Sequence, residues 1–469
     1  MHNPMPDETW GSGRGVSRRG GATRSEKIYS VHELRVRQEL RLFHPTLPQS
    51  SSRVSFPRVR RVTVMAGLAA KKTPPKLEKV VLTKSQIEKA KSKMDKFVQK
   101  CPGHPDKREY ALPYYLLHNE GDSVYGTVII FHGFSATTTQ MSLLAQYLYE
   151  NGFNVYQPAL CGHYFNKPDQ YWPKADFKDD IKKDLVKKLL NDPKLKAYVD
   201  NFISISGLPT DYAIGALNCI EKEYPELHEA ICDEEYSTAF SKFYKSNHID
   251  YFHEAEQRLK EVESLPGPLM TVGLSMGGAA ALSIAATHPD KVARTAVFAP
   301  LLKIVNEKNV QFSKLTGPLG AKEKGWYPDM PFSLSLMVAV DIYGHFVRQK
   351  KHLDTLAKMP TLIVQTEIDD SADHTVGLRI IKEIEERSGP HGPPHFSTLY
   401  TAAERVPHPM VHPLEVSQGS INQFWQSLYQ ETFRFLTEGT VDINHLHDKN
   451  QDLALPRVKD FVANVTVSS

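Results

Sequence analysis

The sequence predicts an α/β architecture, a mostly parallel sheet with helices on both faces. Three observations carry that expectation. Apolar runs such as Thr127-Val128-Ile129-Ile130-Phe131 stop at short Gly-containing turns, which suits strands covered on both faces. A helical pattern separates one such run from the next, giving a strand–helix–strand unit over 127–160. Finally, residues 269–282 read as an apolar run, then Gly273-Leu274-Ser275-Met276-Gly277, then a small-residue helix start.

The elements follow in order. Residues 1–64 are basic, Pro- and Ser-containing and without apolar periodicity. They are expected to be a disordered extension or an organelle-targeting peptide. A cytoplasmic location is expected in the first case and an organellar one in the second. Residues 65–110 form an N-terminal segment with a helix from a Thr83–Gln86 cap to about Gln99. The sheet domain spans 111–439. Its early strands are Tyr110–Leu117, Thr127–Phe131 and Phe153–Leu160, with a helix at Thr138–Glu150. Residues 166–247 break the rhythm and are expected to be a helical insertion, with Ile181, Leu185 and Leu189 on one face. A helix at Ile249–Leu265 leads into the Gly-x-Ser-x-Gly strand. Next come a strand at Ala293–Leu301, a Gly-, Lys- and Pro-rich cap segment within 303–333, and an apolar helix at Phe332–Phe346. A strand at Pro360–Thr366, an amphipathic helix at His374–Glu386, a last strand at Phe396–Thr401 and a closing helix at Ser417–Leu436 complete the domain. Residues 440–469 are a polar tail.

Composition excludes several functions. The chain has 469 residues and a net charge of +3, so no overall field draws it to nucleic acid. Its Arg-rich start lacks the aromatic residues and fold motifs of a nucleic-acid binder. Cys101, Cys161, Cys219 and Cys232 are scattered, with no metal-ligand spacing. No metal and no cofactor are expected. No apolar run reaches the roughly 18 residues a spanning helix requires.

The chemistry centres on Ser275. A strand that turns at once into a helix strains its apex residue and exposes that side chain. Gly273 and Gly277 flank the apex because a Cβ at either position would crowd the turn. Ser275 then lies at a helix N-terminus, where backbone N–H groups favour developing negative charge. A serine hydroxyl needs a base, and the base needs an orienting acid. The candidates follow in the order Ser275, Asp369, His408, each at or just after a predicted strand end. Asp370 and Glu367 rival Asp369 as the acid, and His412 rivals His408 as the base.

The motifs Phe131-His132-Gly133-Phe134, Pro158-Ala159-Leu160-Cys161-Gly162-His163, Gly273-Leu274-Ser275-Met276-Gly277-Gly278 and Pro360-Thr361-Leu362-Ile363-Val364, with Asp369 and His408, resemble the α/β-hydrolase superfamily in its monoacylglycerol-lipase-like, serine-aminopeptidase-like branch. The resemblance covers about 111–437, without the insertion. It implies an eight-stranded, mostly parallel sheet with a helical lid. It implies an oxyanion hole made by the N–H groups of Phe134 and Met276. It also implies an ester-cleaving serine hydrolase that acts on a small-molecule or lipid ester through an acyl-enzyme. Thr366 and Pro407 depart from it, each standing where the family has Gly. His132 and His163 are read as loop-holding residues. A serine peptidase, an acyltransferase and a non-catalytic scaffold on the same fold are the alternatives. Peripheral membrane contact through the lid stays open, and the sequence does not fix the oligomeric state.

Overall fold

A computed structural model describes residues 74–200, 210–323, 330–449 and 455–458. The expectations for residues 1–64 and for most of the C-terminal tail fall outside the described residues. The central sheet holds β1 (Tyr114–Leu116), β2 (Thr127–Phe131), β3 (Asn154–Gln157), β4 (Leu269–Leu274), β5 (Val292–Phe298), β6 (Thr361–Thr366) and β7 (His395–Tyr400). Their order is β7-β6-β5-β4-β2-β3-β1, and only β1 runs antiparallel to its neighbour. Every residue of β2, β4 and β6 is buried, which accounts for their unbroken apolar patterns.

The sheet therefore has seven strands among the described residues, not the eight expected. Val80–Val81 pairs with Ser123–Val124 in a separate antiparallel ribbon. With only two residues in each strand, it spends its ladder bonds there.

The helices are α1 (Lys84–Val98), α2 (Ser142–Glu150), α3 (Asp250–Val262), α4 (Met276–Thr287), α5 (Glu307–Thr316), α6 (Ser335–Val347), α7 (His374–Ser388) and α8 (Trp425–Glu438), besides those of the insertion. Thr83 and Gln86 cap α1 reciprocally, as a capping box does. Helix α4 is buried from Met276 to Ala286 because it lies between the sheet and α6. A helix covered on all sides has no need of a polar face. Helix α6 is core as well, with ten residues buried. Helix α7 buries Val376, Ile380, Ile381 and Ile384, the predicted face. The cap segment holds a helix, α5, which its Gly, Lys and Pro content concealed. The closing helix starts at Trp425 rather than Ser417, because the loop after β7 runs on in turns.

The insertion is more ordered than a string of helices. Ala175–Phe177 pairs antiparallel with Tyr244–Ser246 and closes its base. Within it lie helices Asp179–Asn191, Thr210–Glu223, Pro225–Cys232 and Thr238–Phe243. Leu189, Leu217, Ile220, Leu227 and Ile231 form a core of their own with Phe312 and Leu315 of α5 and Val338 and Ile342 of α6, and Leu185 packs against it. Its apolar face is thus turned onto its own helices and onto α5 and α6.

Lys314 is buried beneath this core, 1% exposed. Its Nζ donates to the carbonyls of Ile231 at 3.2 Å and Asp233 at 2.7 Å, and lies 4.4 Å from the centre of the Tyr236 ring. Replacing Lys314 by Met keeps the apolar stem but strands both carbonyls. The expected cost is about 2–3 kcal/mol, read as a lower chemical-denaturation midpoint. An unchanged midpoint would show the ammonium to be dispensable.

Candidate active site

Ser275 caps the turn from β4 into α4 with φ 57° and ψ −122°. A non-glycine residue holds that backbone only under constraint, and the constraint is visible. A Cβ on Gly273 would stand 2.0 Å from the Gly277 carbonyl oxygen. One on Gly277 would stand 2.3 Å from the Phe131 oxygen and 2.4 Å from that of His132. The N–H of Ser275 donates to Phe298 O, and its carbonyl accepts from Gly278, Ala279 and Leu301.

The loop after β2 lies directly against this turn. A Cβ on Gly133 would be 3.4 Å from Ser275 Cβ. The loop is held from three sides. Arg108 donates to the carbonyls of Ala136 at 2.9 Å and Ser135 at 2.7 Å. Gln140 Oε1 accepts the Gly133 N–H at 2.8 Å. His132 lies beneath it, its Nε2 accepting the Leu160 N–H at 3.1 Å and its Nδ1 facing Gly133 O at 2.8 Å. Burial holds the His132 imidazole down to about 3, so it is neutral, with the proton on Nδ1. His163 stacks on Trp172 with ring centres 3.6 Å apart. Burial also takes its pKa well below the usual value. Among the described residues, the N–H groups of Phe134 and Met276 have no acceptor.

Asp369 lies three residues beyond β6. One carboxylate oxygen accepts the N–H groups of Ser371 at 2.9 Å and Ala372 at 2.7 Å. The carboxylate meets His408 Nδ1 at 2.9 Å. That bond assigns the His408 proton to Nδ1 and leaves Nε2 as the basic nitrogen. The rivals are engaged elsewhere. Asp370 accepts from Ser371 Oγ, Glu367 accepts the Ala402 N–H, and His412 Nδ1 accepts the Leu414 N–H. Burial alone would lower the His408 pKa. The Asp369 carboxylate, with Asp370 and Glu415 behind it, outweighs burial and raises it above 6.5.

Thr366 donates its hydroxyl to Val406 O at 2.6 Å and so fastens β6 to the His408 loop. Further bonds brace that loop: Asn422 Nδ2 donates to Met410 O at 2.8 Å and Tyr429 Oη to Val411 O at 2.8 Å. The acid loop is braced on its other side. Val305 N–H donates to Ser371 O at 3.0 Å and Asp373 N–H to Lys303 O at 2.9 Å. Ile304 N–H donates to Asp341 Oδ1 at 2.8 Å, and the Tyr236 hydroxyl of the insertion donates to the other oxygen of Asp341.

Ser275, Asp369 and His408 thus emerge at the C-terminal rim of β4, β6 and β7, the edge where open α/β sheets place their sites. Among the described residues no hydrogen bond joins Ser275 Oγ to His408 Nε2. Such bonds are often long before substrate arrives. Sequence reasoning missed Arg108, Gln140 and Glu415, which belong to no local motif; each acts through a partner at least seven residues away.

The sheet order and the strained serine turn are those of the α/β-hydrolase fold. A family model described as "Putative esterase" matches residues 233–385 and supports a carboxylic ester hydrolase. No curated relative matches the chain. Among solved structures, a soluble variant of monoglyceride lipase from Saccharomyces cerevisiae in complex with a substrate analogue is 13% identical. That likeness covers 72% of this chain and 99% of the other, with a TM-score of 0.40. Monoacylglycerol lipase from Paleococcus ferrophilus is 14% identical over 67% of this chain and 95% of its own, at 0.36. Est1E from Butyrivibrio proteoclasticus is 12% identical over 73% and 88%, at 0.27. Likenesses this loose carry no inference about substrate.

Proposed function

We propose that the protein hydrolyses carboxylic esters of lipid type through a Ser275 acyl-enzyme. Ser275 Oγ attacks the ester carbonyl while His408 Nε2 takes its proton. Asp369 holds the imidazole in that tautomer and stabilises the imidazolium. The N–H groups of Phe134 and Met276 receive the oxyanion. His408 then protonates the departing alcohol, and water reverses the sequence to release the acid. The observation that carries this reading is the pairing of a strained Ser275 with a buried Asp369–His408 couple on one rim.

The lipid part rests on apolar surface around the site. Leu414 and Val416 on the base loop are 54% and 52% exposed, and Val305 beside the acid loop is 40% exposed. Phe134 itself packs edge-on against Trp172 and Phe332, with ring centres 5.5 and 5.1 Å away. The insertion, anchored through α5 and α6, is read as the lid and as the point of any membrane contact.

A fluorophosphonate probe should label the wild type and leave Ser275→Ala unlabelled, with kcat down about 10⁴-fold or more. Undiminished labelling of that variant would sink the nucleophile assignment. Turnover should rise with acyl length across p-nitrophenyl esters and extend to monoacylglycerol. Activity confined to the acetate would remove the lipid part alone.

A further inference from the structure

Gln140 joins two loops that the chemistry must hold in register. It lies in the single turn Thr138–Met141. Its Oε1 accepts the Gly133 N–H, and its Nε2 donates to the two Glu415 oxygens at 3.3 and 3.1 Å. The amide can point only one way, because a flip would set NH₂ against N–H and oxygen against carboxylate. Gly133 is held between two groups: a Cβ there would be 3.0 Å from Gln140 Oε1 on one side and 3.4 Å from Ser275 Cβ on the other. Any displacement of Gln140 is therefore passed to the peptide that precedes Phe134.

Glu415 belongs to the His408 loop and is half-buried. Its neighbours Leu414 and Val416 face water, while the half-buried Glu415 carboxylate turns to the Gln140 amide, against the ordinary partitioning of polar and apolar side chains. Burial pushes that carboxyl up to about 7, with the Gln140 bond and the nearby His408 charge pulling the other way.

We infer that Glu415 is a positioning residue, which acts through Gln140 to fix the oxyanion loop against Ser275 and to hold that loop in register with the His408 loop. The inference rests on the reading of Ser275 as nucleophile and Phe134 as oxyanion donor. Glu415 touches no reacting atom. Its contribution is geometric through Gln140 and electrostatic toward His408, which Asp369 and Asp370 also face.

The test uses the full chain and a p-nitrophenyl ester, with a thermal melt of each variant to confirm folding. Glu415→Ala should lower kcat about tenfold, as small misplacements of catalytic groups do, with KM within about twofold. Gln140→Ala should match it, and the double variant should lose no more than either single one, because all three break one bridge. Glu415→Gln, whose amide oxygen still accepts from Gln140, should recover most of kcat. Its acidic limb of kcat/KM should move only slightly to lower pH, since the charge that Glu415 carries above about pH 7 no longer raises the His408 pKa. Wild-type kcat in Glu415→Ala, or additive losses in the double variant, would overturn the bridge. Ser275→Ala, run alongside, separates the two readings. Its complete inactivity with an unaffected Glu415→Ala defeats the bridge alone, whereas its survival defeats the nucleophile assignment and the bridge together.

Discussion

Asp369→Asn should reduce kcat by about 10³- to 10⁴-fold, the scale on which a serine triad loses rate when its acid is neutralised. The mechanism is specific. The Asp369 carboxylate accepts the His408 Nδ1 proton and is itself fixed by the N–H groups of Ser371 and Ala372. An Asn amide can present NH₂ to Nδ1 and so favour the tautomer whose Nε2 carries the proton, which leaves no base. The pH profile supplies an independent readout. The neutral imidazole is the active form, and the carboxylates hold its pKa above 6.5, so wild-type kcat/KM should rise through a midpoint above that value. Removing one negative charge must move the residual activity's midpoint to lower pH. A variant that keeps wild-type kcat and profile would exclude Asp369 as the acid and return attention to Asp370.

Gly277→Ala should be among the most damaging single-methyl changes at the described residues. The added carbon would stand 2.3 and 2.4 Å from the carbonyl oxygens of Phe131 and His132. Backbone oxygens of a central strand cannot swing aside as a side chain can. The expected cost is about 3 kcal/mol or more, at or beyond the usual limit for overpacking, read from urea unfolding. Because Phe131 and His132 lead into Gly133 and Phe134, the same clash should push the oxyanion loop away from Ser275. Fluorophosphonate labelling of the folded fraction should therefore slow as well. Gly103→Ala, where nothing lies within 4 Å, is the control and should stay within about 0.5 kcal/mol of wild type. Equal behaviour of the two variants would remove the tight-turn account of the elbow.

The elbow was legible because its demands are local: two glycines, one serine and an apolar run fall within ten residues. Asp369 and His408 were legible because each follows a strand end at short range. The strand count was not, since eight strands came from the resemblance alone and the residues before β1 give only the short Val80–Val81 ribbon with Ser123–Val124. Helix α5 hid because its Lys314 looks like a surface residue and is instead buried on the insertion. Gln140 and Glu415 lie 275 positions apart. Neither carries a pattern that announces the other, and a glutamate between two apolar residues reads as the exposed one.

The Tyr236–Asp341–Ile304 contacts make the insertion and the Asp369 loop share a strut. Modules between 166 and 247 could be exchanged, shortened or recoded in the laboratory with the chemistry intact, provided a hydroxyl still arrives at Asp341. Grafts that omit it would loosen the footing of a loop they never touch. The freedom to redesign the insertion is bounded by one phenol.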